Sequence, residues 1–153
     1  MPLLKAHRFI SNSGAMKNHY GTVRFSDGGL TPKPLHPPII EDSVVDINAH
    51  SEIRDKTRLV VMDGLFGRIA RDGPPVRWKT FGDASPEMLL LSKDPVAIDS
   101  VARHYLEKEM AAQGTTILSD NFLKIAASRG LGVYEDPGRG GVFRKIDKKE
   151  LVL

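Results

Sequence analysis

The chain has 153 residues with Lys+Arg 22 against Asp+Glu 19, a formal charge of +3, 41% hydrophobic and 27% charged residues. These are ordinary values for one domain with one core, and they exclude wholesale disorder. The absence of cysteine excludes disulfides, thiolate zinc sites, cysteine nucleophiles and Cys-ligated iron–sulfur clusters within this chain.

No apolar run approaches the roughly 18 residues of a spanning helix. Lys5, His7 and Arg8 interrupt what would be the core of a signal peptide. The expectation is a cytoplasmic domain with no membrane segment. Basic and acidic residues are interspersed, so the charge allows nucleic-acid binding without pointing to it.

In chain order, the stretch Phe9–Tyr20 holds a short helix that Ser11 or Ser13 caps and Gly21 ends. The run Gly28–Pro38 contains Pro32, Pro34, Pro37 and Pro38, which remove donors and restrict their predecessors, and it reads as a loop. Residues 38–50 read as a helix, with Ile40, Val44 and Ile47 at helical spacing and Glu41 and Asp42 in the first turn. Arg58–Gly64 is a β-branched apolar run, the pattern of a buried strand with Asp63 at its C-terminal end. Residues 67–85 show no period and read as a second loop.

Met88–Ser92 is a second buried strand. Asp94 and Pro95 then supply an N-cap and a first-turn proline for a helix whose face carries Ile98, Val101 and Tyr105. A further helix runs from Ser119 or Asp120 to a glycine stop at Gly130, and Val142–Ile146 reads as an edge strand after the turn Asp136–Gly141. These elements imply an α/β fold: a small, mostly parallel sheet flanked by helices, with Leu59–Met62 parallel to Leu89–Leu91. With two strong strands and weaker ones near Leu3, Val133 and Val142, the sheet looks too small, so either the weaker strands join it or a partner completes it. It is expected to be incomplete, or completed by a partner chain in a homo-oligomer or a hetero-complex.

Several segments, taken in order, resemble the DUF362 family. They are Leu3-Leu4-Lys5-Ala6-His7, Gly14-Ala15-Met16-Lys17-Asn18 leading to Gly21, Val45-Asp46-Ile47-Asn48, and Val61-Met62-Asp63-Gly64 with Gly73-Pro74. Leu91 to Asp99 and Ala126 to Gly132 continue the likeness. The resemblance implies an α/β fold and an association with ferredoxin-type iron–sulfur proteins, and it implies no particular activity. Members usually carry a substantial α/β region before the lysine-histidine segment. The resemblance therefore implies that residues 1–153, read as a single domain, are the C-terminal part of a longer one.

Two sets of residues could carry chemistry. Asp63 and Asp94 lie at the ends of the two strongest strands, where open α/β sheets bind ligands, and Asp99 follows in the next helix. Converging, the three would form an oxygen-rich metal site for Mg2+. Each also has a plain structural reading, as a turn residue, an N-cap and a first-turn acid respectively. Lys5, His7, Lys17 and Asn18, with His19 and the backbone amides around Gly14, supply the positive charge and donors that hold a phosphate or carboxylate. The alternative for the lysines is simple solvation.

His7, His19, His36, His50 and His104 lack the spacing of a zinc motif. The loop from Arg68 to Lys79 interleaves cations with Trp78 and offers a third, weaker reading as a nucleic-acid contact, against Trp78 folded onto the body. The leading expectation is a domain that binds a small anionic ligand, with Mg2+ as a candidate cofactor. The alternative is a non-catalytic subunit or interaction module working beside an iron–sulfur redox protein. No reaction type follows from either.

Overall fold

The computed structural model of the protein describes residues 1–23, 35–69 and 74–152. Its sheet has three strands in the order β1 (Leu3–Lys5), β2 (Val60–Arg68) and β3 (Met88–Ser92). β1 runs parallel to β2, with Leu3 opposite Asp63 and Lys5 opposite Arg68. β3 runs antiparallel to β2, with Val61 opposite Leu91 and Asp63 opposite Leu89.

The sheet is therefore mixed, and the expected parallel pairing of Leu59–Met62 with Leu89–Leu91 is corrected. A parallel neighbour needs a long crossover, usually helical. Between β2 and β3 the described chain makes only a 3-10 turn at Lys79–Phe81, and it returns antiparallel. The helical crossover lies between β1 and β2 instead. It contains α1 (Ala15–Asn18), extended by a 3-10 turn at His19–Thr22, then α2 (Ile40–Ala49) and α3 (Ser51–Arg54).

β2 is longer than its sequence pattern suggests and runs on to Arg68 through a register shift against β1, a bulge. Gly67 sits there at φ +45, and a Cβ on it would meet the ring of Trp78. Trp78 is completely buried at this point.

Two longer helices follow, α4 (Pro95–Ala112) and α5 (Asn121–Ser128). α5 ends at Gly130, whose φ of +72 lets Leu131 N–H reach back to Ala126 O at 3.0 Å. Val142–Ile146 is not an edge strand. The backbone N–H groups of Arg144, Lys145 and Ile146 donate to the Glu135 carboxylate at 2.7, 2.8 and 3.0 Å, so a side chain takes the donors a ladder would need. Val133 likewise forms no strand, because its N–H donates to Asp94. Of the two expected loops, residues 28–34 and 70–73 lie outside the described residues.

α4 is the common wall of two core clusters. Ile98, Ala102 and Leu106 pack with Leu4, Val60, Met62 and Trp78 under the sheet. Val96, at its start, joins Ile10, Met16, Val44, Phe122 and Leu123 among the helices. Burying each such side chain contributes about 1.5–3 kcal/mol. The opposite face of the sheet is uncovered among the described residues, with Leu3, Leu89 and Leu91 exposed by 52%, 52% and 62%. No described helix is long and apolar enough to cross a membrane.

Candidate anion-binding site

α1 has only four residues, too few to hold itself together, so its position is set from outside. Its first N–H groups, from Ala15 and Met16, donate to the Asp99 carboxylate at 2.6 and 3.0 Å. Asp99 comes from α4 and is fully buried. Burial pushes its carboxyl up to about 7, against the pull of those two N–H bonds. At the other end Asn48, on α2, donates through Nδ2 to Met16 O at 2.7 Å and to Val44 O at 2.8 Å.

Neither Ser11 nor Ser13 caps α1, and the helix begins after Gly14 with Asp99 in the role of the cap. The amides near Gly14 that the sequence offers to an anion are thus already occupied by a carboxylate of the chain itself. What stays available is the positive charge around them.

β1 and α1 bring Lys5, His7 and Lys17 together. The segment between them folds back on itself, with Ala6 bridged to Asn12 and Ser13 N–H donating to Lys5 O at 2.9 Å. His7 is held below its ordinary value, at about 3, first by burial and then by the charges of Lys17, His36 and Lys5. Lys17 is lowered by burial and then by Lys5. Its Nζ lies 4.4 Å from the centroid of the Tyr20 ring. No ion pair among the described residues engages Lys5 or Lys17.

His7 Nδ1 accepts the N–H of Phe9 at 3.2 Å, so the neutral ring carries its proton on Nε2, where it can donate. The ring stacks against His36 at 6.5 Å, and His36 meets Phe9 and Tyr20 edge-on at 5.6 and 6.0 Å. His36 is part of this cluster although no spacing in the sequence links it to His7. Asn18 is exposed at the end of α1, and no hydrogen bond among the described residues joins its side chain to the cluster.

The three carboxylates are not brought together. Asp63 lies within β2 rather than at its end, because the strand continues to Arg68, and its Oδ1 accepts Leu65 N–H at 2.9 Å. Asp94 caps α4, with Oδ1 accepting Val96 and Ala97 N–H at 2.8 Å each and Oδ2 accepting Val133 N–H at 2.8 Å. Asp99 caps α1. Among the described residues, no group of three or more His, Cys, Asp or Glu side chains is placed to hold a metal ion. Complete burial of Trp78 also removes the aromatic platform that a nucleic-acid reading of the Arg68–Lys79 loop needs.

Two buried polar groups escape sequence reasoning because their partners are distant in the chain. Glu109 accepts from Lys79 N–H, Thr80 N–H and Thr80 Oγ1 at 2.9, 2.8 and 2.6 Å and so caps the 3-10 turn. Burial raises its carboxyl, but these bonds outweigh it and hold the group below the ordinary glutamate value. Arg103 pairs with Asp120 at 3.0 Å and with Glu107 and Asp136 at 3.2 Å each, joining α4 to α5 and the following chain.

A mixed three-stranded sheet backed by α4, with a basic cluster where β1 and α1 meet, defines a small α/β domain. The chain belongs to the DUF362 family, described as a domain of unknown function, whose family profile matches residues 1–104. That span contains all three strands, the basic cluster, Asp63, Asp94 and Asp99, and it ends within α4. The segment Ala126–Gly132 lies beyond it. No curated protein and no solved structure is significantly similar to the chain.

Proposed function

We propose that this DUF362 domain binds a small anion, a phosphate or carboxylate group, at Lys5, His7 and Lys17, with Asn18 at the rim. One observation supports the reading above others. Besides burial, Lys17 and Lys5 hold His7 down and Lys5 holds Lys17 down, and no ion pair among the described residues offsets these lysines. Half-buried like charges repel more strongly than in water, and an anion among them converts that repulsion into charge-assisted hydrogen bonds worth about 1.5–3 kcal/mol each. Lys5 and Lys17 would supply charge and His7 a directed Nε2–H donor. Mg2+ is not part of this reading, because the carboxylates expected to hold it are bonded separately to backbone N–H groups.

Isothermal titration with inorganic phosphate tests the proposal. The Lys17→Ala variant, with its fold verified by circular dichroism, is expected to bind about tenfold more weakly than the unaltered chain. Equal affinities would remove Lys17 from the site. A second role, as an interaction module, is favoured by the exposed Leu3, Leu89 and Leu91 on the sheet, and it is independent of the anion.

A further inference from the structure

β3 is hydrogen-bonded on one side only among the described strands. Asp63 N–H donates to Pro2 O at 2.9 Å, so up to Gly64 the odd-numbered residues of β2 address β1; beyond it the order changes, with Leu65 O accepting Glu87 N–H and Arg68 O accepting Ala6 N–H. Residues alternate along a strand, and the even-numbered ones, Val60, Met62 and Gly64, therefore address β3 through Ser92, Leu90 and Met88. This leaves the N–H and C=O groups of Leu89 and Leu91 directed outward.

Sheet edges are normally blunted by charge, proline or a bulge within the strand. Met88-Leu89-Leu90-Leu91-Ser92 contains none of the first two, and its ladder to β2 is continuous. Charges stand only at its two ends, Glu87 and Lys93, both exposed and of opposite sign. No ion pair among the described residues engages either of them.

We propose that β3 is the dimer edge of this protein, pairing antiparallel with β3 of a second copy about a two-fold axis at Leu90. Two requirements fix that register. The outward groups belong to odd-numbered residues, so an axis between two residues would set outward groups against inward ones. An axis at Leu89 or at Leu91 would pair only part of each five-residue strand, Met88 to Leu90 or Leu90 to Ser92. At Leu90 all five residues of the strand pair, and Leu89 faces the partner's Leu91. Glu87 stands just before the strand, where φ +50 and an N–H bond to Leu65 O end the regular ladder, and it comes to the same end of the pair as the partner's Lys93, just after it. The arrangement is self-complementary, as a two-fold interface must be. It joins two three-stranded sheets into one of six and makes their exposed leucine faces continuous. A five-residue edge buries less than a standard interface, so the dimer is expected to be weak and dependent on concentration.

Sedimentation velocity on the full chain, from about 10 µM to about 1 mM, reads this directly. The expected result is a reversible monomer–dimer equilibrium. Leu91→Pro removes an outward donor and leaves the ladder to β2 intact, and it is expected to weaken dimerisation at least tenfold with unchanged circular dichroism. Glu87→Lys alone is expected to weaken the dimer severalfold, and Lys93→Glu added to it to restore the affinity. This charge exchange keeps the test decisive should Leu91→Pro fail to fold. A monomer at every concentration, or a dimer indifferent to the charge exchange, would overturn the proposal.

Discussion

A Cβ on Gly14 would overlap Oδ1 of Asp99, so the buried carboxylate reaches the start of α1 only because residue 14 is glycine. Asp99 comes from α4, the wall of both core clusters, and through the N–H groups of Ala15 and Met16 it places the helix that carries Lys17. The basic cluster is thus anchored to the core by one side chain.

Removing either member of this contact should show in both stability and binding. Asp99→Ala leaves two buried N–H groups without a partner and is expected to cost about 2–4 kcal/mol in urea unfolding. Gly14→Ala is expected to cost a comparable amount by displacing the carboxylate. Either variant, measured where it is still folded, should bind phosphate more weakly than the unaltered chain. An unchanged unfolding midpoint for both would contradict the role given to Asp99.

The same carboxylate makes stability depend on pH in a defined direction. Its folded value of about 7 lies above the ordinary 3.8, so the folded state holds the proton more tightly. The resulting stabilisation is complete below about pH 4 and is lost as pH rises through 7. His7 acts oppositely, because its value falls from 6.5 to about 3 and its contribution is lost as pH decreases over that interval. Comparison with Asp99→Asn isolates the first effect. The variant is expected to be the less stable protein near pH 4, with the gap narrowing by a few kcal/mol towards pH 7. Parallel stability curves for the two proteins would contradict it.

Asp94 links the start of α4 to the chain beyond α5. Gly132 lies against it, and a Cβ there would overlap the Asp94 carboxylate. Asp94→Ala removes the cap of α4 and the acceptor for Val133 N–H, and is expected to cost about 1–2 kcal/mol for the cap alone. Gly132→Ala should lower the melting temperature through the same contact. In a double-mutant cycle the two losses are expected to be less than additive, and strict additivity would mean that they act separately.

Local signals in the sequence predict local structure well. Asp94-Pro95 marks the start of α4, Gly130 the end of α5, and the apolar spacing from Ile40 the face of α2, because each signal acts within one or two turns. Pairing is not legible in the same way. The composition of β3 is that of a buried strand in either orientation, and its direction depends on the connection from β2, whose described residues form no crossover helix. Val142–Ile146 has a strand's composition, but Glu135 takes its donors.

The site divides along the same line. Lys5, His7 and Lys17 are legible because β1 and α1 are consecutive elements, joined by residues 6–14, which fold back on themselves. His36 enters from a distant segment, so no spacing reveals it. The acidic set fails to assemble because Asp63, Asp94 and Asp99 each satisfy backbone N–H groups, a need that exists only once the chain has folded.

The most direct test of the anion site is the NMR titration of His7 with and without inorganic phosphate. Without phosphate the ring is expected to stay neutral until about pH 3, held down by burial and by Lys17, His36 and Lys5. A bound anion offsets those charges and favours the imidazolium, so phosphate is expected to raise the His7 midpoint by about one unit or more, with affinity increasing as pH falls through the new midpoint. A His7 titration that phosphate leaves unmoved would contradict the account.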